Sequence, residues 1–120
     1  MQRTLFRGAI ASAVIASACA TAAPPPTSTL VESRTAVRMA EEAGAANDAA
    51  GAHDLTLARQ QIAEAERLIR GGRDWSAQRT LEMAQVYADL ALEHARLASA
   101  RADAETTRAE IARLQSGGEP

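Results

Sequence analysis

An apolar stripe with helical spacing runs through the last third of the chain. Between Trp75 and Leu114 there is no glycine and no proline, and apolar positions recur at alternating steps of three and four residues. We call these positions the alanine stripe, whose members are Leu81, Ala84, Ala88, Ala91, Ala95, Ala98 and Ala102. Because residues at such steps share one face of an α-helix, the stripe predicts a long helix over 75–114 that packs lengthwise on other helices.

Two shorter helices are predicted upstream, separated by glycines. The first covers residues 29–43, and its inward face is predicted to contain Leu30, Ser33, Val37, Ala40 and Ala43. After a loop at 44–53, the second covers residues 54–70, with an inward face made of Leu55, Ala58, Ile62, Ala65, Leu68 and Ile69. Gly71 and Gly72 end this helix, and Asp74 is the predicted N-cap of the long one.

The length of the links predicts how the helices are arranged. A short connection at 70–74 forces the second and third helices into an antiparallel hairpin. At ~1.5 Å per residue the second helix is about 25 Å long and the third about 60 Å, so the third extends past its partner from about Arg96. The expected fold is all-α: a short three-helix arrangement built on the hairpin, with a long C-terminal helix overhanging it. The overhang points away from the start of the first helix.

Composition makes the core thin and excludes several classes of protein. The chain has 30 alanines but only one each of Phe, Trp and Tyr, which favours helix while offering little volume to bury. The net charge of -2 lacks the basic footprint of a nucleic-acid-binding protein. A single cysteine, Cys19, allows neither an intramolecular disulfide nor a cysteine-based metal cluster.

The N-terminus has the pattern of a secretory leader. Arg3 and Arg7 precede an uncharged run of small and apolar residues at 8–18, which is too short to cross a bilayer. The residues before Cys19 resemble the lipobox of bacterial lipoproteins, which implies a signal peptide at 1–18 and an acylated Cys19. Residues 19–29 would then be a proline-rich tether, 30–116 the helical domain and 117–120 a disordered tail. Ala16-Ser17-Ala18 also suits ordinary cleavage, which would give a soluble periplasmic product.

Candidate chemistry is sparse. The sequence has no Ser-His-Asp arrangement, no glycine-rich phosphate loop and no zinc-ligand spacing, and His53 and His94 lie some 40 residues apart. We therefore predict no enzymatic activity, catalytic residue, metal, cofactor or small-molecule substrate. Trp75 is predicted to pack over Leu68 and Ile69, with an exposed ligand-stacking role as the alternative, and Tyr87 is placed either at the core edge or on a contact surface.

Residues 30–102 resemble a family of alanine-rich bacterial envelope lipoproteins with a helical domain of unknown function, also found ahead of OmpA-like domains. The resemblance is carried by Glu42-Ala43-Gly44-Ala45, by Leu55, Ala58, Ile62 and Ala65 at their helical spacing, and by Gly72-Arg73-Asp74-Trp75-Ser76-Ala77 followed by Leu81 and Ala84. It implies a helical envelope protein, and Ala20 after Cys19 resembles the sorting signal for the outer membrane. No OmpA-like domain follows within the sequence, so peptidoglycan binding is not carried over.

Two functional hypotheses follow. In the first, the protein is a non-enzymatic, lipid-anchored element on the periplasmic face of the outer membrane, acting as a structural part or adaptor of the envelope. Its partners would be the membrane, through acylated Cys19, and an envelope protein or a second copy, through the long helix; the candidate interaction surface consists of Trp75, Tyr87, Ala91, Ala95, Ala98 and Ala102. In the second, it is a soluble periplasmic module similar to a tetratricopeptide repeat that binds a peptide or protein at the Trp75 end.

Overall fold

Three α-helices make up the chain from 26 to 117, which is the part that the computed structural model describes. Helix α1 spans Pro26–Glu42, α2 spans Ala49–Arg70 and α3 spans Asp74–Ser116, and a single 3₁₀ turn at Ala45–Asn47 connects α1 to α2. Residues 26–117 contain no strand. The prediction of an all-α chain of three helices with a long C-terminal helix is therefore confirmed.

Helix α1 begins at Pro26, three residues earlier than predicted. Proline lacks the backbone N–H that would be unsatisfied at that position, and its fixed φ already suits a helix. The buried face consists of Thr29, Ser33, Val37 and Ala40, with Leu30 half-buried beside it. The prediction that Ala43 lies inward is wrong, because the helix ends at Glu42 and Ala43 is exposed in the turn that follows.

The start of α2 differs most from the prediction. The loop expected at 44–53 ends at Asp48, whose carboxylate caps the helix by accepting a 3.0 Å hydrogen bond from the Gly51 N–H. Gly51, expected to interrupt the chain, is buried in the first turn of α2. A Cβ atom there would lie 2.6 Å from the carbonyl oxygen of Ala45, so this glycine allows a close approach between two backbones.

The link between α2 and α3 is a Schellman motif. The N–H of Arg73 donates to the carbonyl of Leu68 at 2.9 Å, and that of Gly72 donates to the carbonyl of Ile69 at 3.0 Å. Gly72 has φ +68°, a backbone conformation that other residues adopt at a cost. The prediction that Asp74 is the N-cap of α3 is wrong, because Arg73 occupies the N-cap position. Asp74 is the first residue of the helix, where its negative charge interacts favourably with the helix dipole.

Cross-helix contacts define the direction of each helix. Along α1, Thr29 bonds Gln78 of α3 at 2.9 Å, and the Ser33 hydroxyl donates to the Leu81 carbonyl at 3.2 Å, so α1 runs parallel to α3. Arg34 pairs with Glu66 of α2 at 2.7 Å, and the later Glu41 pairs with the earlier Arg59, so α1 runs antiparallel to α2. The three helices form an up-down-up bundle in which the start of α1 lies near the Gly71-Gly72 turn.

Alanine dominates the core of this bundle. Besides Leu55 and Leu81, which are almost fully buried and contribute roughly 1.5–3 kcal/mol each, the packed faces consist largely of alanines with no exposed surface. These are Ala40, Ala45, Ala58, Ala65, Ala77, Ala84, Ala88 and Ala91. Small side chains let neighbouring helices approach closely, so the bundle is thin and tolerates little added volume.

Replacement of Gly51 by alanine tests the close approach at the start of α2. The added methyl group must displace the Ala45 carbonyl, and we expect a loss of about 1–3 kcal/mol in the free energy of unfolding despite the higher helix propensity of alanine. The measurement is urea unfolding followed by circular dichroism. Gly71→Ala is the matched control, because a Cβ atom there would lie 3.5 Å from the nearest backbone atom. Equal stability of the two variants would contradict the close approach between Gly51 and the Ala45 carbonyl.

Candidate interaction surface on the long helix

The first part of the alanine stripe is covered by the chain itself. The residues of α3 buried in the bundle are Ala77, Leu81, Ala84, Ala88, Ala91 and Ala95. Ala91 has no exposed surface and Ala95 only 3%, so two residues predicted to contact a partner belong to the core of the monomer. Helix α2 lies against more of α3 than predicted, because it begins at Ala49 rather than at residue 54 and is therefore about 7.5 Å longer.

The part of α3 that packs against α2 ends shortly after His94. The Nε2 atom of His94 lies 3.4 Å from an Asp54 carboxylate oxygen, which fixes the level of α2 beside α3, and α2 begins only five residues before Asp54. Ala98 is accordingly half-buried and Ala102 exposed. We call residues 99–116 the overhang, all of which are exposed except the half-buried Ala104. It continues α3 for roughly 27 Å without a helix of the described chain beside it.

Trp75 lies on the surface rather than over the hairpin. Its side chain is 69% exposed, so the predicted packing over Leu68 and Ile69 is wrong. The reason is helical geometry, since Trp75 precedes buried Ala77 by two residues and therefore lies about 200° around the helix from it. The guanidinium of Arg79 stands 5.1 Å from the centre of the indole ring, a cation–π contact.

Tyr87 occupies the edge of the core. Its ring is partly buried and packs against the central cluster of apolar side chains. Of the two placements predicted for this residue, the structure therefore has the core edge.

A second apolar row on α3 was missed by the stripe analysis. Large side chains on the face away from the bundle remain between 45% and 64% exposed. We call this row the outer seam, and its large members are Met83, Val86, Leu90, Leu97, Ile111 and Leu114. The signal was available in the sequence, because Met83, Leu90, Leu97 and Ile111 are separated by multiples of seven residues. The outer seam lies two residues out of phase with the alanine stripe, on the opposite side of α3.

The described residues offer little reactive chemistry. From 26 to 117, no three His, Cys, Asp or Glu side chains form a group that could hold a metal ion. At the protein surface, the hydrogen bond from Arg67 lowers the pKa of Glu64, as in an ordinary ion pair. Among the described helices, none is both long and apolar enough to cross a bilayer. What distinguishes the molecule is the exposed length of α3.

Comparison with known proteins gives one match. The model of a family described as a domain of unknown function (DUF4398) matches residues 28–115, from the start of α1 almost to the end of α3. No curated protein and no solved structure matches the chain.

A pair of substitutions along the alanine stripe tests where its cover ends. Ala88→Leu adds three carbons at a fully buried contact, and we expect the free energy of unfolding to fall by about 1–3 kcal/mol. Ala102→Leu makes the same change in the overhang and should leave it within about 0.5 kcal/mol. Urea denaturation measures both, and an equal loss at the two positions would mean that the overhang is covered in solution.

Proposed function

The chain belongs to the DUF4398 family, a domain of unknown function, and we propose that it is a non-enzymatic, lipid-anchored protein on the periplasmic face of the outer membrane. In this proposal it acts as a helical structural or adaptor element of the cell envelope. The observation that carries the proposal is the overhang of α3, a helix that leaves the bundle with its surface exposed.

The exposed overhang supports a role in contact rather than in folding. All the buried core residues of α3 precede residue 99, so the bundle does not depend on the overhang for burial. In proteins most helical stability comes from packing of an apolar face, yet the overhang keeps Ile111 at 49% and Leu114 at 64% exposure near its end. A helix in this position gains stability when another protein covers those side chains.

The direction of α3 supports an anchor at the opposite end. The leader pattern and Cys19 lie outside the described residues, but α1 starts at Pro26, next to the Gly71-Gly72 turn from which α3 departs. The seven residues from Cys19 to Pro26 allow a separation of up to roughly 25 Å. With 43 residues, α3 spans roughly 64 Å, so a membrane-anchored molecule would present the overhang well away from the bilayer surface.

A second candidate function is supported by the exposed tryptophan. A soluble periplasmic module that binds a peptide or protein at the Trp75 end would use the 69% exposed indole and the adjacent Arg79 as its contact. In that case Trp75→Ala would abolish binding, whereas loss of the overhang would not.

The anchor is tested by removing its attachment atom. Cys19→Ala eliminates the thiol that would be acylated, and we expect the protein to move from the outer-membrane fraction to the soluble fraction. Mass spectrometry of the mature wild-type protein should find acyl chains on Cys19. Trp75→Ala is the control and should remain membrane-bound. A Cys19→Ala protein that still fractionates with the outer membrane would refute the anchor.

The contact role is tested by ending the chain after Ala98. We expect the shortened protein to keep its thermal midpoint within a few degrees, because the core residues precede this point. We expect the full chain to form crosslinked adducts in intact envelopes, and the shortened protein to stay anchored but to form none. A chain ending at Gly117 serves as the control and should retain them. Adducts that persist without the overhang would place the contact elsewhere.

A further inference from the structure

We propose that two copies of this chain associate in parallel and in register through the outer seam of α3, forming a two-stranded coiled coil. The inference rests on the proposed role of α3 as the contact element, but not on the anchor. It assigns the face, the partner and the direction of the interaction. Because the predicted contacts Ala91 and Ala95 are buried in the monomer, a partner that follows α3 along both the bundle and the overhang must use a different face from the alanine stripe.

The outer seam has the period of a coiled coil. Taking Met83 as the first a position, the a row continues at steps of seven through Leu90, Leu97, Ala104 and Ile111. The d row, three residues later in each heptad, consists of Val86, Glu93, Ala100, Thr107 and Leu114. A seven-residue apolar repeat favours a partner helix that winds around it in a left-handed supercoil. A second copy supplies that repeat at every position.

The bundle leaves this seam accessible along its length. Each large a residue of the covered part follows a buried residue of α3 by two positions, as Met83 follows Leu81, Leu90 follows Ala88 and Leu97 follows Ala95. A step of two turns the helix by about 200°, so the seam faces away from α1 and α2. Two copies can therefore bring their α3 helices together with both bundles on the outside.

The charges beside the seam favour the parallel direction. The g row, one residue before each a position, is acidic at Glu82, Asp89, Asp103 and Glu110, with Arg96 as the exception. The e row, one residue after each d position, has no acid and contains His94, Arg101 and Arg108. Parallel helices set g against the e residue five positions later in the partner, which pairs Asp103 with Arg108 of the second copy. Antiparallel helices would set acids against acids.

One pair in the parallel arrangement is unfavourable, and a neighbouring acid offsets it. Arg96 would face Arg101 of the second copy, a contact between like charges. Glu93, in the d row next to this pair, already holds the Arg96 guanidinium at 2.6 Å. Polar residues at Glu93 and Thr107 weaken the apolar seam while marking the register, as polar core residues do in other coiled coils. The expected dimer is therefore specific but modest in affinity.

Single cysteines in the full chain carrying Cys19→Ser test the direction of the pair. In a parallel dimer each a residue meets its own counterpart, so Met83→Cys and Ile111→Cys should each crosslink to themselves with a short thiol-reactive reagent. Thr106→Cys, exposed and outside the seam, is the control and should crosslink at least tenfold more slowly. Crosslinking only when the Met83→Cys and Ile111→Cys proteins are mixed would overturn the parallel assignment, and crosslinking no faster than the control would overturn the dimer.

Sedimentation equilibrium tests the seam itself. Leu90→Glu and Leu97→Glu each place a charge in the a row, and we expect each to raise the dissociation constant of the dimer at least tenfold without changing helix content, since both side chains are already half exposed. Val31→Glu makes a similar change at an exposed apolar residue of α1 and should leave the dimer intact. Dimers that survive both seam substitutions would refute the proposal. A Cys19→Ala protein that loses the membrane yet still dimerises separates this result from the test of the anchor.

Discussion

The structure depends on how closely the alanine faces of its helices can approach. Ala58 and Ala65 of α2 and Ala84, Ala88 and Ala91 of α3 retain no exposed surface, although each contributes only a methyl group. Such a contact stabilises only when backbones lie close together, because the area buried per residue is small and dispersion falls steeply with distance. At one end of α2 the Gly51 backbone serves this requirement, because it lets the Ala45 carbonyl approach closely. At the other end the Schellman motif turns the chain so that α3 runs back along α2.

The number, type and direction of the helices could be predicted from the sequence because they depend on local signals. Helical spacing, the Gly71-Gly72 pair and the short link after Arg70 are all readable along the chain. The start of α2 could not be predicted in this way. In the sequence Gly51 indicates the end of a helix or a loop. Its role in packing is visible only in the structure, where a Cβ atom at this position would lie 2.6 Å from the Ala45 carbonyl oxygen.

The candidate surface was predictable in part. The lengths of the predicted helices show that α3 extends past α2. The burial of Ala95, however, depends on where α2 begins, and it could not be predicted because the start of α2 was placed five residues too late. The exposure of Trp75 and the outer seam required no tertiary information, since both follow from the angle between these residues and the alanine stripe. They were missed because a single helix was assigned a single apolar face.

The two apolar rows of α3 impose a rule on its length. The alanine stripe and the outer seam both repeat every seven residues, with the seam two residues after the stripe. A shift in the position of one row along the helix therefore shifts the other by the same amount. Inserting one residue at Glu93 would turn everything beyond it by about 100°, taking Ala95 out from under α2 and breaking the outer row between Leu90 and Leu97. Adding or removing seven would nearly preserve both faces and change the reach by about 10.5 Å. The length of the helix can therefore change in whole heptads while both faces stay aligned, but not by a single residue.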